Sequence, residues 1–318
     1  MHRLRTGFLL TVGLLCAGVA AAPPRLMPIV AGTPHQALFS VATYGSAGIA
    51  VGAGGAILES TDGGKSWKAV TPAPTQLSLL GVAAQQGHSI AVGQVGTILV
   101  MDPAGKWNKV DSGTDRRLFA VGVNADGVAV AVGAFGTVIR SADGGRSWAS
   151  VAPDWGGYAE NGEQPHLYDV DVDDKGIITM AGEFGLILRS ADAGKSWKTL
   201  HKGDASLFAM ELPDDRPGYA VGQNGIVLRS TDQGNSWSEV RSGSGAILLG
   251  VHSTADGRVL ITGMHDMLIS RDSGQSFAHV SGKEVNSTWY QGTAGSDGGR
   301  VRALLAVGHS GQVVQIAD

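Results

Sequence analysis

Residues 60–67 read STDGGKSW, and this short stretch recurs along the chain. The closer copies are SADGGRSW at 141–148, SADAGKSW at 190–197, STDQGNSW at 230–237 and SRDSGQSF at 270–277. A further copy, MDPAGKW, is one residue short and ends at Trp107. A catalytic motif normally occurs once in a chain, whereas a motif that returns at a steady interval is typical of a repeat architecture. We therefore expect the motif to belong to the scaffold.

Each copy of the motif follows a glycine hairpin such as AVGAGGAIL, and a seventh hairpin follows the last copy. The first glycines of these hairpins are Gly52, Gly93, Gly133, Gly182, Gly222, Gly263 and Gly308. They recur every 40 to 49 residues, and a short apolar run precedes each of them. Each unit therefore predicts four short strands. Four strands every ~40–45 residues is the period of a β-propeller blade.

The two ends of the repeat region predict how the ring closes. The seventh unit stops after its third strand and lacks the Trp-bearing fourth strand. The stretch 25–32 precedes the first unit, at the place of a fourth strand. Because an open ring leaves a sheet edge free to pair with other chains, we expect this stretch to complete the last blade. The sequence thus predicts an all-β, seven-bladed propeller with Asp-box turns, a single domain over 23–318, closed by an N-terminal strand.

The first 22 residues have a different composition. Two arginines precede an apolar run over residues 8–19, and Ala-Ala-Ala-Pro-Pro follows that run. This order predicts a secretory signal peptide over residues 1–22. We therefore expect an exported protein, periplasmic or extracytoplasmic, that is soluble after cleavage. Cys16 is the only cysteine, so the mature chain is expected to form no disulfide.

The bulk composition narrows the classes of partner. The formal net charge is −4, and the longest Lys/Arg run is the pair Arg116-Arg117. Nucleic acid is therefore not an expected partner, because phosphate binding requires a basic surface. The Gly-x-x-Gly units lie between strands and not at strand-to-helix junctions, so we expect no nucleotide site and no other cofactor.

The repeated motif has a mechanical explanation. Glycine can supply the positive φ that a tight turn needs, and an aspartate in such a turn can accept hydrogen bonds from backbone N–H groups. The tryptophan that follows can bury a large apolar area against the blade. We therefore predict structural roles for the motif residues Asp62, Trp67, Asp143, Trp148, Asp192, Trp197, Asp232, Trp237 and Asp272.

The motif Ser-x-Asp-x-Gly-x-Ser/Thr-Trp resembles the Asp box of the bacterial neuraminidase repeat, which occurs in sialidases, some endoglucanases and sorting receptors. The longer unit, AVGxxGxIxRSxDGGxSW, is similar to the propeller of the photosystem II stability and assembly factor family, and the resemblance covers about 38–316. It implies a non-catalytic binding platform that helps a membrane-protein complex to assemble or function from its extracytoplasmic side.

An arginine stands just before the motif in three successive units, at Arg140, Arg189 and Arg229. Three such residues predict a basic stripe on an otherwise acidic protein, and arginine is suited to paired hydrogen bonds with carboxylates. The assembly-factor family carries an arginine-rich patch for its membrane-protein partner, and these three residues correspond to it by position. The alternative is that the arginines lie over the tryptophan rings of the motif.

The step of 49 residues between the third and fourth units adds length to the connection 153–166. We expect this loop on the same face as the glycine hairpins. It carries two aromatic and two acidic residues that are candidates for a partner site: Trp155, Tyr158, Glu160 and Glu163. Exposed aromatics within a polar rim are typical of interfaces. The alternative is that the tryptophan folds back onto its own blade.

The stretch LYDVDVDDKG at 167–176 places Asp169, Asp171 and Asp173 on one face of a strand. Three carboxylates can bind calcium, although their spacing does not match a twelve-residue calcium loop. The alternative is that Asp169 bonds to a neighbouring blade, while the residues that follow form a turn.

The rival function is a carbohydrate-active protein, either a sialidase-like glycoside hydrolase or a glycan-binding lectin. By resemblance, a sialidase needs three arginines that converge on a carboxylate, and the nearest counterpart of its first arginine motif is PRLMP at 24–28. Glycoside hydrolysis generally needs two carboxylates that face one site, and no such pair stands out from the repeats. We therefore do not expect an enzyme.

Overall fold

In the computed structural model, residues 24–158, 162–296 and 303–317 are described. The strands of these residues form seven antiparallel sheets of four strands each. The sheets surround a central channel lined by the first strand of each repeat unit. The predicted all-β, seven-bladed propeller is confirmed. The predicted signal peptide over 1–22 lies outside the described residues.

Blades 1 to 3 each consist of four consecutive strands. Blade 1 contains β2 (Leu38–Tyr44), β3 (Ala47–Gly52), β4 (Ile57–Ser60) and β5 (Lys68–Ala69). Blade 2 contains β6 (Leu79–Gln85), β7 (His88–Gly93), β8 (Ile98–Met101) and β9 (Trp107–Val110). Blade 3 contains β10 (Leu118–Val123), β11 (Ala129–Gly133), β12 (Val138–Ser141) and β13 (Ala149–Ser150).

Blades 4 to 6 repeat this order. Blade 4 contains β14 (Leu167–Val172), β15 (Ile178–Gly182), β16 (Ile187–Ser190) and β17 (Lys198–His201). Blade 5 contains β18 (Leu207–Glu211), β19 (Gly218–Gly222), β20 (Val227–Ser230) and β21 (Ser238–Glu239). Blade 6 contains β22 (Leu248–Ser253), β23 (Val259–Gly263), β24 (Met267–Ser270) and β25 (Ala278–His279).

Blade 7 is assembled from both ends of the chain. Its strands are β26 (Tyr290–Ser296), β27 (Ala303–Gly308), β28 (Val313–Ala317) and β1 (Arg25–Val30). β1 pairs antiparallel with β28, with Met27 opposite Gln315, and Leu26 packs against the apolar core of this blade. The predicted closure of the ring by an N-terminal strand is confirmed.

A short helix, α1 (Lys283–Ser287), connects blades 6 and 7. Within the described part of the chain, no helix is long and apolar enough to span a membrane.

The alternating strand directions give the ring two different faces. The hairpin face carries the glycine hairpins between the second and third strands, together with the crossings from one blade to the next. The box face carries the Asp-box turns and the turns between the first and second strands. Backbone hydrogen bonds tie each glycine hairpin to the crossing beside it, as between Ala134 N and Arg117 O at 2.9 Å.

The five complete Asp boxes are held by the same set of hydrogen bonds. In the first box, Asp62 Oδ1 accepts from Ser60 Oγ and from the backbone N–H of Ser66, both at 2.9 Å, while Asp62 Oδ2 accepts from Ser66 Oγ at 2.6 Å. The full set recurs around Asp143, Asp192, Asp232 and Asp272. In the shortened box, Asp102 accepts from the backbone N–H of Ala104 and Lys106.

The aromatic residue that follows each box is packed against a blade core. Trp107 is buried, and the other box aromatics are partly buried: Trp67, Trp148, Trp197, Trp237 and Phe277. In the first box the indole N–H of Trp67 donates to Gly64 O at 3.0 Å, which fixes the ring over the turn. Each box therefore joins a hydrogen-bonded turn to an apolar anchor.

The box aspartates make the fold sensitive to acid. Hydrogen bonds from the box serines lower the pKa of Asp62, Asp192, Asp232 and Asp272 from 3.8 to about 2. Because the folded pKa is depressed, the stabilisation is present above about pH 4 and is lost as the pH falls through 2. We expect the urea midpoint of the wild-type protein to fall steeply over this interval.

The double variant Asp192→Asn/Asp232→Asn tests this assignment. It removes two of the groups that gain protons on unfolding, so its urea midpoint should be lower at pH 5 and should change less between pH 5 and pH 2. The matched control is Asp174→Asn, in an exposed turn. Equal acid slopes for the double variant and the wild type would refute the role of the boxes.

Candidate binding surface on the hairpin face

On the hairpin face, the channel opens through a ring of side chains from the inner strands. This mouth ring consists of the second residue of each inner strand: Phe39, Leu80, Phe119, Tyr168, Phe208, Leu249 and Gln291. All of these side chains are half-buried. The ring centroid of Tyr168 lies 5.4 Å from that of Phe119 and 4.9 Å from that of Phe208. Six of the seven positions therefore present apolar or aromatic atoms at the mouth.

Below the mouth ring, the channel becomes polar on one side. Asp169 Oδ2 accepts from the backbone N–H of Met210 in the next blade at 2.7 Å. Glu211 accepts from the backbone N–H of Ser253, also in the next blade, at 2.6 Å, and its other oxygen lies 2.9 Å from His252 Nδ1. Both carboxylates thus bridge neighbouring inner strands.

The two channel carboxylates titrate in opposite directions. Burial raises the pKa of Asp169 to about 7, against the backbone hydrogen bonds that it accepts. Burial also raises the pKa of Glu211. The charges of His252 and Arg216 and the hydrogen bonds to this carboxylate outweigh burial, so its pKa lies below 4.5. The pKa values differ because cationic side chains lie beside Glu211, whereas the groups that lower the pKa of Asp169 are backbone N–H donors.

The three aspartates of blade 4 do not form a calcium site. Within residues 24–158, 162–296 and 303–317, no group of three or more His, Cys, Asp or Glu side chains is placed to hold a metal ion. Alternate residues of an extended strand are ~7 Å apart, so Asp169, Asp171 and Asp173 spread along the channel axis. Asp169 bonds to blade 5, and Asp173 accepts from the backbone N–H groups of the following turn. These contacts match the alternative drawn from the sequence, in which Asp169 bonds to a neighbouring blade and the residues that follow form a turn.

Asp171 is instead a carboxyl with an unusual titration. Burial and the neighbouring charges of Asp169, Asp173 and Asp214 raise its pKa to about 8. The charge of Arg189 opposes this shift.

Asp169 can be tested against another blade of the same ring. In blade 1 the equivalent residue is Ser40, whose hydroxyl accepts from the backbone N–H of Val82 at 3.2 Å. The variant Asp169→Ser should therefore keep an acceptor for Met210 and remove the buried carboxyl. A raised folded pKa means that the stability contribution is present below about pH 4 and lost as the pH rises through 7.

We accordingly expect the wild-type protein to lose more stability than Asp169→Ser between pH 5 and pH 8. Urea unfolding at the two pH values measures this difference. The same loss in both proteins would contradict the shifted titration of Asp169. Asp171 remains in the variant, but without the charge of Asp169 its pKa is raised less, so its change reduces the loss in the variant further.

Two arginines of the predicted stripe lie at junctions between blades. Arg189 Nε donates to Thr179 Oγ1 at 2.9 Å, and one of its terminal nitrogens donates to Gln233 O, in the next Asp-box turn, at 2.6 Å. Arg229 Nε donates to Ser273 O, in the following Asp-box turn, at 2.9 Å. Arg140 Nε is buried with no hydrogen-bond partner among the described residues.

The position of these arginines therefore connects blade 4 to blade 5 and blade 5 to blade 6. In blade 1 the same position is Glu59, whose carboxylate accepts from the indole N–H of Trp107 in blade 2 at 2.9 Å. The contacts are with Asp-box turns, rather than with the tryptophan rings that the sequence offered as the alternative. Arg189 and Arg229 are held at successive junctions and do not converge on one ligand. Their role in binding a partner stays a prediction.

The long loop between blades 3 and 4 is folded back onto the ring. Trp155 is only 6% exposed, and its indole N–H donates to Gly136 O, in the hairpin of its own blade, at 3.1 Å. The hydroxyl of Tyr158 donates to Trp197 O at 2.9 Å. The interpretation of these residues as exposed interface aromatics was wrong, because both rings pack on the core of blades 3 and 4. Glu163 is exposed, and Glu160 lies outside the described residues.

The hairpins carry a feature that the sequence analysis missed. The second residue after the first glycine has a positive φ in all seven hairpins: Gly54, Val95, Phe135, Phe184, Asn224, His265 and Ser310. Glycine and asparagine tolerate this conformation, whereas a β-branched or bulky residue there is a true outlier. A comparison of the seven hairpins would have shown the apolar residues, although only the backbone shows that they are strained.

Blades 2 to 4 carry the three apolar residues, which we call the apolar tips: Val95, Phe135 and Phe184. Their φ angles are 53°, 53° and 59°, and they are 62%, 52% and 43% exposed. A left-handed conformation costs an L-residue about 1–2 kcal/mol. The fold therefore places three exposed apolar side chains in a row at positions that disfavour them.

Two exposed arginines lie beside the apolar tips. The guanidinium carbon of Arg116 lies 5.0 Å from the ring centroid of Phe135. Arg116 and Arg117 line a cavity of about 600 Å³ between the tips of blades 2 and 3, together with His166. Arg117 also borders the mouth ring, and Phe119 belongs to it, so the cavity and the channel mouth are continuous.

The chain matches no protein-family model and no curated protein. It does match solved propeller structures. A structure described as YCF48 bound to D1 peptide is 15% identical, with a TM-score of 0.70, and the match covers 98% of this chain and 100% of that one. YCF48 from Cyanidioschyzon merolae is 15% identical, with a TM-score of 0.68, over 92% and 98% of the two chains.

A structure of U3-55K is 11% identical, with a TM-score of 0.72, over 94% of this chain and 99% of that one. The predicted structural resemblance to the assembly-factor propeller is confirmed at the level of the fold. Because a comparable TM-score is reached by another kind of propeller, these matches describe the scaffold and not the activity.

Proposed function

We propose that this chain is a non-catalytic propeller that binds a segment of another protein at its hairpin face. The observation that carries this proposal is the mouth ring, in which half-buried aromatic and aliphatic side chains surround a concave opening. Aromatic side chains in such positions are the groups that contribute most to protein interfaces. A compact apolar rim of this kind on a soluble scaffold is typical of an interaction site.

Two further observations support a protein partner. One solved propeller of similar fold is described as bound to a D1 peptide. By analogy, we propose a peptide segment as the ligand of this chain. The N-terminal residues 1–22 have the composition of a secretory signal. We therefore propose that the partner is a membrane-protein complex and that the propeller meets it from the extracytoplasmic side, aiding its assembly or function.

The polar groups of the channel favour binding over catalysis. Asp169 and Glu211 both accept backbone N–H groups from the next blade, so these carboxylates serve the ring itself. Arg189 and Arg229 bond at separate blade junctions, whereas a sialidase-like site needs three arginines around one carboxylate. No observation therefore favours the carbohydrate-active alternative as strongly as the mouth ring favours a protein partner.

The proposal is tested by capture followed by a measured affinity. The tagged chain from residue 23 onward is used as bait on solubilised membranes of the source cells, and a retained integral membrane protein is identified and purified. We expect the variant Phe119→Gln/Phe208→Gln to bind this partner at least tenfold more weakly, since it places polar groups at two points of the mouth ring. Isothermal calorimetry measures both affinities.

The matched control is Tyr44→Ser, which removes an exposed aromatic from the box face. Its affinity should equal that of the wild type. Retention of cell-envelope polysaccharide alone would refute the proposal and favour the carbohydrate-active alternative. An equal loss in Tyr44→Ser and in the mouth variant would show that the hairpin face is not the site.

A further inference from the structure

The apolar tips and the two arginines beside them form one surface on blades 2 to 4. We infer that this surface binds an extended protein segment that carries a carboxylate next to apolar side chains. The inference rests on the proposed function and goes beyond it, because it assigns the chemistry of the partner and extends the site outward from the channel mouth.

The first argument is the strain of the tips. Val95 has a φ of 53° and is 62% exposed, so contacts within the fold do little to compensate its backbone conformation. Blade 1 places Gly54 at the same point and blade 5 places Asn224, and both residues suit this conformation. Blades 2, 3 and 4 instead carry the apolar tips, which this backbone conformation disfavours. Backbone strain that contacts within the fold do not compensate is typical of a functional site.

The second argument is the charge beside the tips. Arg116 and Arg117 are both exposed, and neither guanidinium has an ion pair or a hydrogen bond among the described residues. Arg116 does lie over the Phe135 ring. Two carboxylates lie near these arginines. Glu183 accepts from a backbone N–H at 2.7 Å, and Asp115 lines the same cavity but forms no ion pair with either guanidinium among the described residues. Unpaired guanidinium groups beside apolar rings complement a carboxylate flanked by apolar side chains.

The third argument is the shape of the surface. The cavity between the tips of blades 2 and 3 shares Gln94, Arg117 and Phe119 with the rim of the channel mouth. An extended segment can therefore contact the tips, place its carboxylate at the arginines and continue to the mouth ring. The carboxylate can belong to an acidic side chain or to a free C-terminus, and the chemistry at the arginines is the same.

The first experiment selects peptides on the purified chain from residue 23 onward. Two phage libraries of random decapeptides are used, one displayed with a free C-terminus and one joined to the coat protein through its C-terminus. We expect selected peptides to combine at least two apolar residues with a carboxylate. Enrichment from the free-end library alone identifies a terminal carboxylate, and enrichment from both identifies acidic side chains.

The second experiment measures the selected synthetic peptides on three variants. The tip variant Val95→Asn/Phe135→Asn/Phe184→Asn and the charge variant Arg116→Gln/Arg117→Gln should each bind at least tenfold more weakly than the wild type. Met264→Asn is the matched control, because Met264 is an exposed apolar residue of a blade 6 hairpin without a positive φ. Its peptide affinity should not change.

Thermal unfolding of the same variants separates binding from a structural role. Asparagine suits a left-handed conformation, so the tip variant should unfold at a Tm higher by roughly 3 °C or more, while it loses the peptide. A tip variant with a lower Tm would overturn the inference, because the tips would then serve the fold.

The remaining outcomes distinguish this inference from the proposed function. Peptides that lack carboxylates, or that bind all three variants equally, would overturn the inference, and the proposed function would stand if Phe119→Gln/Phe208→Gln still weakened them. Failure to select any peptide, together with failure of the membrane capture, would overturn both.

Discussion

The crowding of seven inner strands around one channel is the constraint on which this structure depends. A Cβ atom on Gly250 would lie 2.0 Å from Gln291 O, and one on Gly292 would lie 2.9 Å from the Cα of Ser40. Neighbouring inner strands therefore meet through small residues or through side chains that reach forward to the next strand. Ser40 and Asp169 are examples of such side chains, because each accepts a hydrogen bond from a backbone N–H of the following blade.

The same constraint explains why acidic residues in the channel do not indicate catalysis. A backbone N–H that faces a neighbouring strand edge needs an acceptor, since an unpaired polar group inside a protein is costly. Asp169 and Glu211 supply that acceptor between blades 4 and 5 and between blades 5 and 6. The difference in their pKa values comes from the cationic neighbours of Glu211, so ring architecture accounts for both groups.

The fold could be predicted from the sequence because the same four-strand pattern occurs in seven units. The last unit lacks a fourth strand, and this absence predicted that β1 would supply it. The site could be predicted only in part. The position of Arg189 was visible in the repeat, but its contact with the next Asp-box turn depends on the distance between blades, which no single unit encodes. The burial of Trp155 depends on how a long loop folds over its own hairpin. The positive φ of Val95 could not be predicted from the sequence, because a β-branched residue disfavours the left-handed conformation.

The pairing of β1 with β28 also determines when the ring can form. Its partners include Arg25 and Ala317, which lie at opposite ends of the described chain. A contact between residues so distant in sequence is slow to form and requires nearly the whole chain to be present. The last blade therefore cannot be completed while the C-terminal strand is still being synthesised. Until then, β1 has no partner strand and its edges are open to other strands, so the period before closure is the interval in which this propeller is most exposed to misassembly.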